Sequence, residues 1–319
     1  MKTGLNHAVR VTVAALSIVL GLGTAVPAAA QCPGDLTGNG QVNGADLGLV
    51  LAAWESDGTD QPGSDVNEDG IVNGADLAYV LGAWGNCPAG GSVRACGNNG
   101  SGQCNVPADL GPCTAVAGGV YHTIALRTDG TVRAWGRNSN IPTDLGPCTA
   151  IAGGAYHTVA LRTDGTVRAW GDNYYGQCNI PTDLGPCTAI AGGVLHTIAL
   201  RTDGTVRAWG RNIEGQCNIP ADLGPCTAIA GGCFHTVALR TDGTVRAWGR
   251  NDYGQCNIPT DLDPCTAIAG GGLHTVALRT DGTVRAWGRN DYGQCNIPTD
   301  LGSCTAIASS GYHTIAIQR

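Results

Sequence analysis

The sequence predicts an all-β ring of repeated blades, a β-propeller, preceded by a small all-α module. Three observations lead to this fold class: a unit of 39 residues that recurs six times with one shortened copy, strand-like periodicity throughout the unit, and an abrupt change of charge near residue 92. A period of this size is typical of solenoids and propellers, and the secondary structure of the unit decides between them. Because the unit shows no helical periodicity, the propeller is favoured.

Each repeat unit predicts three short strands. The segments VRAWG, TAIAGG and HTVAL are rich in β-branched and aromatic residues or alternate in polarity, which is typical of strands. An Asp-Gly pair separates HTVALR from the following TVRAWG and predicts a tight two-residue hairpin turn. Copies of the unit begin at Val93, Val132, Val167, Val206, Val245 and Val284.

The repeat is interrupted at this hairpin. The sixth copy stops at HTIAIQR, before the turn, and the first copy starts with GSVRACG, after it. Pairing residues 315–318 with residues 93–96 would satisfy two unpaired strand edges at once. We therefore expect a closed ring of six blades, with a seven-bladed-like ring and an open arrangement as the alternatives.

The recurring pattern H-T-x-A-L-R-T-D-G-T-V-R-A-W-G-R-N-x-x-G-Q resembles the regulator of chromosome condensation repeat family. That family includes secreted bacterial relatives of the β-lactamase inhibitor protein II type. The resemblance covers residues 93–319 and implies a β-propeller. This chain departs from the family in having six units where seven are usual, in the shorter length of its units, and in its paired cysteines.

Residues 1–30 predict a signal peptide. Lys2 and Arg10 flank an apolar run over residues 11–26, which is followed by three alanines at residues 28–30. Small residues at this place are typical of a cleavage site. The apolar run is short for a membrane span. We expect a secreted chain with no membrane span, located outside the cell, in the periplasm or at the cell surface.

Charge divides the rest of the chain. Residues 31–92 contain nine acidic residues and neither Lys nor Arg, whereas residues 93–319 contain 16 Arg and 16 acidic residues. A short segment with a charge of −9 repels itself unless cations bind to it or it stays disordered. The spacing of its oxygen-bearing residues favours cation binding.

Two loops have the ligand spacing of a calcium site, with oxygen donors at alternate positions and Gly70 at the sharp turn of the second loop. The first loop is the weaker site because only two of its ligands carry charge. The predicted Ca²⁺ ligands are Asp35, Thr37, Asn39, Gln41, Asn43 and Asp46 in the first loop, and Asp65, Asn67, Asp69, the carbonyl of Ile71, Asn73 and Asp76 in the second.

An amphipathic helix is predicted after each loop, because apolar residues recur there at helical spacing. These residues are Leu47, Val50, Leu51 and Trp54 after the first loop and Leu77, Val80, Leu81 and Trp84 after the second. Two such loop–helix units with Asp at loop position 12 resemble a type I dockerin, over about residues 32–87. The resemblance implies a cohesin-like partner. A calcium-stabilised spacer without such a partner is the alternative.

These features divide the chain into four parts. We assign a signal peptide to residues 1–30, the calcium-binding module to residues 31–88, a linker to residues 89–92 and the propeller to residues 93–319.

Fifteen cysteines in an exported chain imply disulfide bridges. Five units carry two cysteines nine residues apart, which predicts a local bridge in each, and Cys32 and Cys87 bracket the calcium-binding module. The second unit has lost four residues and its first cysteine. A zinc site built from Cys and His is the alternative. The predicted local pairs are Cys104–Cys113, Cys178–Cys187, Cys217–Cys226, Cys256–Cys265 and Cys295–Cys304.

One histidine and one tryptophan recur at fixed places in the units. Catalytic residues usually break symmetry because they take different roles. Identical placement in each unit therefore predicts a structural hydrogen bond for the histidines and packing between blades for the tryptophans. The Arg and Asp beside the hairpin, such as Arg127 and Asp129, predict repeated ion pairs.

Positions that differ between the copies are the candidate ligand-binding positions, since the variable residues of a repeat protein face its loops. Exposed tyrosines on a rigid scaffold suit contact with a protein or a carbohydrate. Packing at the rim is the alternative. The candidate ligand-binding residues are Tyr174, Tyr175, Glu214, Tyr253 and Tyr292.

Together these observations predict a secreted, non-enzymatic binding protein. A neutral propeller without lysine argues against nucleic-acid binding. Two alternatives remain open: inhibition of a secreted enzyme, which the β-lactamase inhibitor resemblance implies, and a glycan-acting enzyme docked to a cohesin. The enzyme requires an asymmetric pair of carboxylates, for which Asp172, Glu214 and Asp263 are the candidates.

Overall fold

The computed structural model describes residues 41–42, 44–53, 71–72, 77, 80–81, 85–86, 91 and 93–319. The predictions for residues 1–30, for Cys32 and Cys87, and for most ligands of the calcium loops fall outside these residues. Within the described part of the chain, no helix has the length and apolar character required to cross a bilayer.

Residues 113–319 form five three-stranded antiparallel sheets and a sixth sheet of two strands. The strands are β3 (Cys113–Gly118), β4 (His122–Arg127), β5 (Val132–Gly136), β6 (Cys148–Gly153), β7 (His157–Arg162), β8 (Val167–Gly171), β9 (Cys187–Gly192), β10 (His196–Arg201), β11 (Val206–Gly210), β12 (Cys226–Gly231), β13 (His235–Arg240), β14 (Val245–Gly249), β15 (Cys265–Gly270), β16 (His274–Arg279), β17 (Val284–Gly288), β18 (Cys304–Ser309) and β19 (Thr314–Gln318). We call the first, second and third strand of each three-stranded sheet its inner, middle and outer strand. The sixth sheet has an inner strand, β18, and a middle strand, β19. The predicted all-β repeat fold is confirmed.

The hairpin between the middle and outer strands differs from the predicted two-residue turn. The N–H of Arg127 donates to the carbonyl of Thr131 at 2.8 Å, which leaves three residues in the loop. Of these, only Gly130 has a positive φ, at 80°. The Asp129 side chain accepts hydrogen bonds from the N–H and the hydroxyl of Thr131 at 2.9 and 2.6 Å. Aspartate is therefore selected here for its side-chain oxygen, not for a positive φ.

Consecutive sheets are joined by apolar layers with a polar network beside them. In one layer, Val237 and Leu239 of the fourth sheet pack with Ala277 and Trp287 of the fifth. The indole N–H of Trp287 donates to the carbonyl of Gln255, in the loop between these sheets, at 3.1 Å. The predicted packing of tryptophan between blades is confirmed, and Trp135, Trp209 and Trp248 make the same bond to Gln103, Gln177 and Gln216.

The shortened second unit shows what this bond requires. Its four-residue deletion removes the glutamine whose carbonyl accepts the indole proton in the other units. The buried Nε1 of Trp170 consequently has no hydrogen-bond partner within the described part of the chain. The tryptophan remains buried, because the apolar layer around it is otherwise intact.

A second contact between sheets runs from each buried histidine to a threonine of the next sheet. Four of these threonine hydroxyls donate to a glutamine carbonyl, as Thr236 does to Gln216 at 2.8 Å, so the histidine Nε2–H acts as donor to the threonine oxygen. The five Nε2–Oγ1 distances are 2.9 Å for His122–Thr158, 3.0 Å for His157–Thr197, 3.1 Å for His196–Thr236, 3.0 Å for His235–Thr275 and 3.2 Å for His274–Thr314. The predicted structural role of these histidines is confirmed.

Glycine makes room for these histidines. A Cβ atom built at Gly193 would overlap the imidazole of His196, and the same holds at the equivalent glycine of the other complete sheets. In the sixth sheet this position is Ser310. Its hydroxyl instead bonds Nδ1 of His313 at 2.7 Å, and His313 is exposed.

The predicted closure of a six-bladed ring is not formed in this structure. Among the described residues, β19 pairs with β18 and with no other strand, and residues 93–96 form no strand. As a result Ile315 and Ile317 are 41% and 51% exposed, whereas the equivalent Val276 and Leu278 of the fifth sheet are 0% and 4% exposed. The number of blades in a closed ring stays a prediction.

The chain ends lack the side chains that join consecutive sheets elsewhere, which is the physical reason for this difference. Residues 93–96 have the sequence VRAC, so Cys96 stands where the outer strands of the complete sheets carry tryptophan. At the other end, His313 is turned away by Ser310 and makes no bond to a following sheet.

The described part of the calcium-binding module contains a helix and a short strand pair. Strand β1 (Gln41–Val42) pairs antiparallel with β2 (Gly85–Asn86), and α1 (Gly44–Ala52) follows β1. Because the backbone groups of these strands form a ladder, the module is not purely helical, which corrects that part of the prediction.

The core of this module is smaller than the amphipathic pattern predicts. Val50, Val72 and Val80 are fully buried in one cluster. Leu51 and Leu81, which were predicted to be on the buried face, are 53% and 50% exposed. Each leucine follows a buried valine by one residue, and neighbouring residues of a helix point about 100° apart, so only the valine faces the core.

The buried histidines predict a loss of stability in mild acid. Burial lowers the pKa of His196 and His235 to about 3 and that of His122, His157 and His274 to about 4. As the pH falls below about 6.5, the unfolded chain takes up protons that these native histidines do not, so stability falls until about pH 4. Urea unfolding followed by far-ultraviolet circular dichroism from pH 8 to pH 4 measures this loss.

The same measurement separates the histidines from the turn carboxylates. Hydrogen bonds from Thr131 hold the pKa of Asp129 below its usual value, and the equivalent aspartates behave alike. Their contribution is lost only below about pH 4. A stability that stays constant between pH 7 and pH 4.5 contradicts the prediction.

Candidate functional site

The loop after each outer strand presents one side chain to solvent. In the last complete unit, the Asn290 carboxamide bonds the side chain of Asn296 at 2.7 Å and the backbone N–H of Cys295 at 2.8 Å. The side-chain oxygen of Gln294 accepts the N–H of Tyr292 at 3.0 Å. Because these bonds fix the backbone on both sides, the Tyr292 side chain is held outward, 68% exposed.

Aromatic and arginine side chains from successive loops form what we call the aromatic–arginine band. It consists of Tyr174, Tyr175, Arg211, Phe234, Arg250, Tyr253, Arg289, Tyr292 and Tyr312. The Arg211 guanidinium lies over Phe234 at 4.8 Å from the ring centroid and 6.0 Å from Tyr175. The Arg289 guanidinium lies 5.2 Å from Tyr253 and 5.6 Å from Tyr292. The band therefore alternates cationic and aromatic groups.

Each arginine of the band is also held by a carboxylate of its own loop. Arg211 contacts Glu214 at 3.5 Å, and the Nε of Arg289 bonds Asp291 at 2.6 Å. This bond raises the pKa of Arg289 above its usual value. Arg250 pairs with Asp252 in the same way, at 2.6 Å. The arginines are thus fixed in place and largely neutralised before any ligand arrives.

The structure brings the predicted ligand-binding residues together in two groups. Tyr175 and Glu214 lie on either side of Arg211, and Tyr253 and Tyr292 flank Arg289. Tyr174 packs edge-on against Tyr175, with 4.9 Å between ring centroids, and is itself 85% exposed. All of the predicted tyrosines are at least one-third exposed.

Sequence reasoning missed the arginines of the band. They follow Trp-Gly in the repeat, inside the pattern that most copies share. Yet this position varies, since it is Asn98 in the first unit and Asp172 in the third. That variation was the available signal. The role of Phe234 as the platform for Arg211 and Arg250 follows only from the structure.

The predicted local disulfides are not present in four of the units. The thiol of Cys178 donates to the carbonyl of Asp172 at 3.2 Å, and that of Cys187 to Gly185 at 3.6 Å. The two sulfur atoms are thus held by different carbonyls, and the bridges stay a prediction. The cysteines that the structure shows as free in these units are Cys178, Cys187, Cys217, Cys226, Cys256, Cys265, Cys295 and Cys304.

Most of the predicted calcium ligands lie outside the described residues. Of those inside, Gln41 belongs to β1, Asp46 to α1, and Ile71 has an exposed side chain. Val72, which follows Ile71 in the second loop, is fully buried. No group of three or more His, Cys, Asp or Glu side chains suited to a metal occurs among the described residues, which omit Asp35, Thr37, Asn39, Asn43, Asp65, Asn67, Asp69, Asn73 and Asp76.

Two family models match the sequence. The model of the regulator of chromosome condensation (RCC1) repeat matches residues 113–140, 148–177, 187–216, 226–255 and 265–294, and the model of the dockerin type I domain matches residues 33–82. Each RCC1 match spans one three-stranded sheet and the loop that follows it. No curated protein sequence matches the chain significantly.

Solved structures with a similar fold are RCC1-like β-propellers. Prp20p from Saccharomyces cerevisiae, described with its binding to Gsp1p and histones, is 19% identical over 65% of this chain and 69% of its own, with a TM-score of 0.58. The CRINKLY WD40 ectodomain of the Arabidopsis thaliana receptor kinase ACR4 is 20% identical over 67% and 80%, with a TM-score of 0.56. Human WBSCR16 is 19% identical over 65% and 72%, also at 0.56. At this identity the likeness supports the fold alone.

The spacing of the loop oxygens predicts that the full chain binds two Ca²⁺ ions, the tighter one at residues 65–76. Asp65→Ala removes a charged ligand from loop position 1, so the tighter event should disappear. Asp35→Ala should remove the weaker event. Isothermal titration calorimetry with CaCl₂ measures both.

Asp60→Ala is the matched control, since Asp60 lies in the connector between the loops. It removes the same charge without removing a ligand, so both events should persist. Equal weakening by Asp60→Ala and Asp65→Ala would show that net charge, and not the loop, determines the binding.

Proposed function

Because this chain carries five RCC1 repeats and a dockerin type I domain, we propose that it is an exported, non-enzymatic binding protein. Its calcium-loaded dockerin module attaches it to a cohesin-like partner. Its propeller binds a protein ligand through the aromatic–arginine band. Export rests on the signal-peptide pattern of residues 1–30.

The arrangement of tyrosines and ordered arginines in the band supports the proposed protein ligand. Tyrosine and arginine are the residue types that dominate the energetics of protein interfaces. Here Arg211 and Arg289 are already ordered by an aromatic face and a carboxylate, so little side-chain entropy is lost on binding. Exposed tyrosines beside them supply contact area. This combination favours a protein ligand over a glycan.

Each carboxylate that was a candidate for a catalytic role already has a partner within the protein. Glu214 contacts Arg211, and Asp263 forms an ion pair with Arg279. Asp172 accepts hydrogen bonds from the N–H of Tyr174 at 3.0 Å and the side chain of Gln177 at 2.8 Å. They lie in three different loops and serve those loops, which supports a binding function.

The dockerin module offers a duplicated apolar contact. Leu51 and Leu81 occupy equivalent places after the two calcium loops, and both are about half exposed. Solvent-exposed leucines at matching positions suit a partner that covers the helix surfaces. They support attachment to a cohesin-like domain over the alternative of an isolated calcium-stabilised spacer.

The role of the band is tested with the double variant Tyr174→Ala/Tyr253→Ala of the full chain. We expect its capture of a protein ligand from the producing organism's secreted fraction to fall by about tenfold or more, since both substitutions truncate exposed interface residues. Thr182→Ala/Thr260→Ala, at exposed positions outside the band, is the control and should bind as the parent chain does.

Ligand identification uses two arms, the secreted protein fraction and a glycan array. Saturable binding in the protein arm that is sensitive to the tyrosine variant supports the proposal. Tyrosine-sensitive binding in the glycan arm alone contradicts the choice of a protein ligand. Equal binding by the tyrosine and threonine variants contradicts the band as the site.

A further inference from the structure

The sixth sheet contains the complement of an outer strand but not the strand. In the complete sheets, the outer strand VRAWG makes a backbone ladder with the middle strand and an ion pair from its arginine to an aspartate of the preceding loop. In every complete sheet but the second, its tryptophan also donates a hydrogen bond to a glutamine carbonyl. The ion pairs are Arg133–Asp109, Arg168–Asp144, Arg207–Asp183, Arg246–Asp222 and Arg285–Asp261.

Each receiving group recurs at the sixth sheet. The Gln294 carbonyl accepts the hydroxyl of Thr314 at 2.8 Å, as the carbonyl of Gln255 accepts that of Thr275, but no indole of the described residues donates to it. Asp300 stands where Asp261 receives Arg285, and no described arginine pairs with it. The outer edge of β19 has no strand beside it in the described chain.

A cavity of about 430 Å³ lies where the tryptophan would pack. Trp287 of the fifth sheet belongs to an apolar cluster that includes Val245, Ile258, Leu262 and Ala277. The equivalent residues Val284, Ile297, Leu301 and Ala316 all line the cavity, together with Gln294 and Thr314. The cavity is therefore an indole site with its apolar walls and its hydrogen-bond acceptor in place.

The chain's own residues 93–96 match this site only in part. Arg94 has the charge that Asp300 requires, but Cys96 stands in the place of the tryptophan and is too small to fill the cavity. In the structure this segment forms no strand. An occupant with tryptophan at this place fits the site better, because it fills the cavity and satisfies the Gln294 carbonyl.

We propose that the edge of β19 is a second binding site, which takes an extended segment of a partner protein with the sequence Val-Arg-x-Trp. The segment adds to the sheet as an antiparallel outer strand. Its arginine pairs with Asp300, and its indole enters the cavity and donates to the Gln294 carbonyl. Four outer strands of this chain, β5, β11, β14 and β17, make all three contacts in a complete sheet, and β8 makes all but the indole bond.

The test uses the full chain and a capped synthetic peptide, Thr-Val-Arg-Ala-Trp-Gly, labelled for fluorescence anisotropy. Saturable binding of the parent peptide is expected. Peptides with Trp→Ala or Arg→Glu should bind at least about tenfold more weakly, since each loses a central interface contact. Asp300→Arg should reject the parent peptide and restore binding of the Arg→Glu peptide, because the charges are exchanged.

Two further variants control for folding and for competition. Asp261→Asn makes the same chemical change as Asp300→Asn one repeat earlier, where the arginine is already present. Only Asp300→Asn should lower the affinity of the chain for the peptide. Cys96→Trp should lower peptide affinity and raise the melting temperature, because it lets the chain's own segment fill the site. Tyr174→Ala lies outside the cavity and should leave peptide binding unchanged, which separates this site from the band.

Three results overturn the proposal. The first is that no saturable binding occurs at millimolar peptide while the β19 amides of the chain are protected from hydrogen exchange. This result would show that residues 93–96 already fill the site. The second is equal affinity for the parent and Trp→Ala peptides. The third is equal loss of affinity in Asp261→Asn and Asp300→Asn.

Discussion

The fit of a histidine of one sheet against a threonine of the next is the contact on which this propeller depends. It is buried, it joins elements that are 40 residues apart in sequence, and it leads on to a glutamine carbonyl that also receives a tryptophan. It requires glycine behind the imidazole, since a Cβ there would overlap the ring. Glycine recurs in the unit because the histidine needs the space of the missing Cβ. Histidine, threonine, glutamine and tryptophan recur with it because one chain of hydrogen bonds links them.

The same requirement explains where the regular structure stops. Ser310 replaces the glycine, His313 is turned out to solvent, and Cys96 replaces the tryptophan of an outer strand. Within the described part of the chain, the last sheet has an edge strand without a neighbour, a cavity at the place where the other sheets hold an indole, and an aspartate that no arginine contacts. The aromatic–arginine band varies from copy to copy, whereas the apolar walls and the hydrogen-bond acceptor of this second surface are residues that recur in the copies. The two surfaces adjoin, since Tyr292 and Tyr312 of the band also line the cavity.

The repeated features could be predicted from the sequence because six copies show which residues are constant. The strands, the structural histidines, the packed tryptophans and the ion pairs beside the hairpin follow from that pattern. The turn was mispredicted because Asp129 acts through its side chain, which Asp-Gly alone does not reveal. Closure of the ring stays a prediction, because counting strands does not show whether the residues at the two ends can pack. The arginines of the band were missed because arginine recurs at this position in four of the six copies, and because some of their aromatic neighbours belong to other copies, as Tyr175 does for Arg211 and Tyr253 for Arg289.

The buried contact from histidine to threonine, and not the histidine side chain alone, holds consecutive sheets together. Thermal unfolding of His196→Ala and His313→Ala tests it most directly, since both variants lose the same side chain but only His196 bonds the next sheet. We expect His196→Ala to lower the melting temperature by on the order of 5 °C, through the lost bond and the cavity it leaves, and His313→Ala to change it by less than about 1 °C. Equal melting temperatures for the two variants would contradict the account.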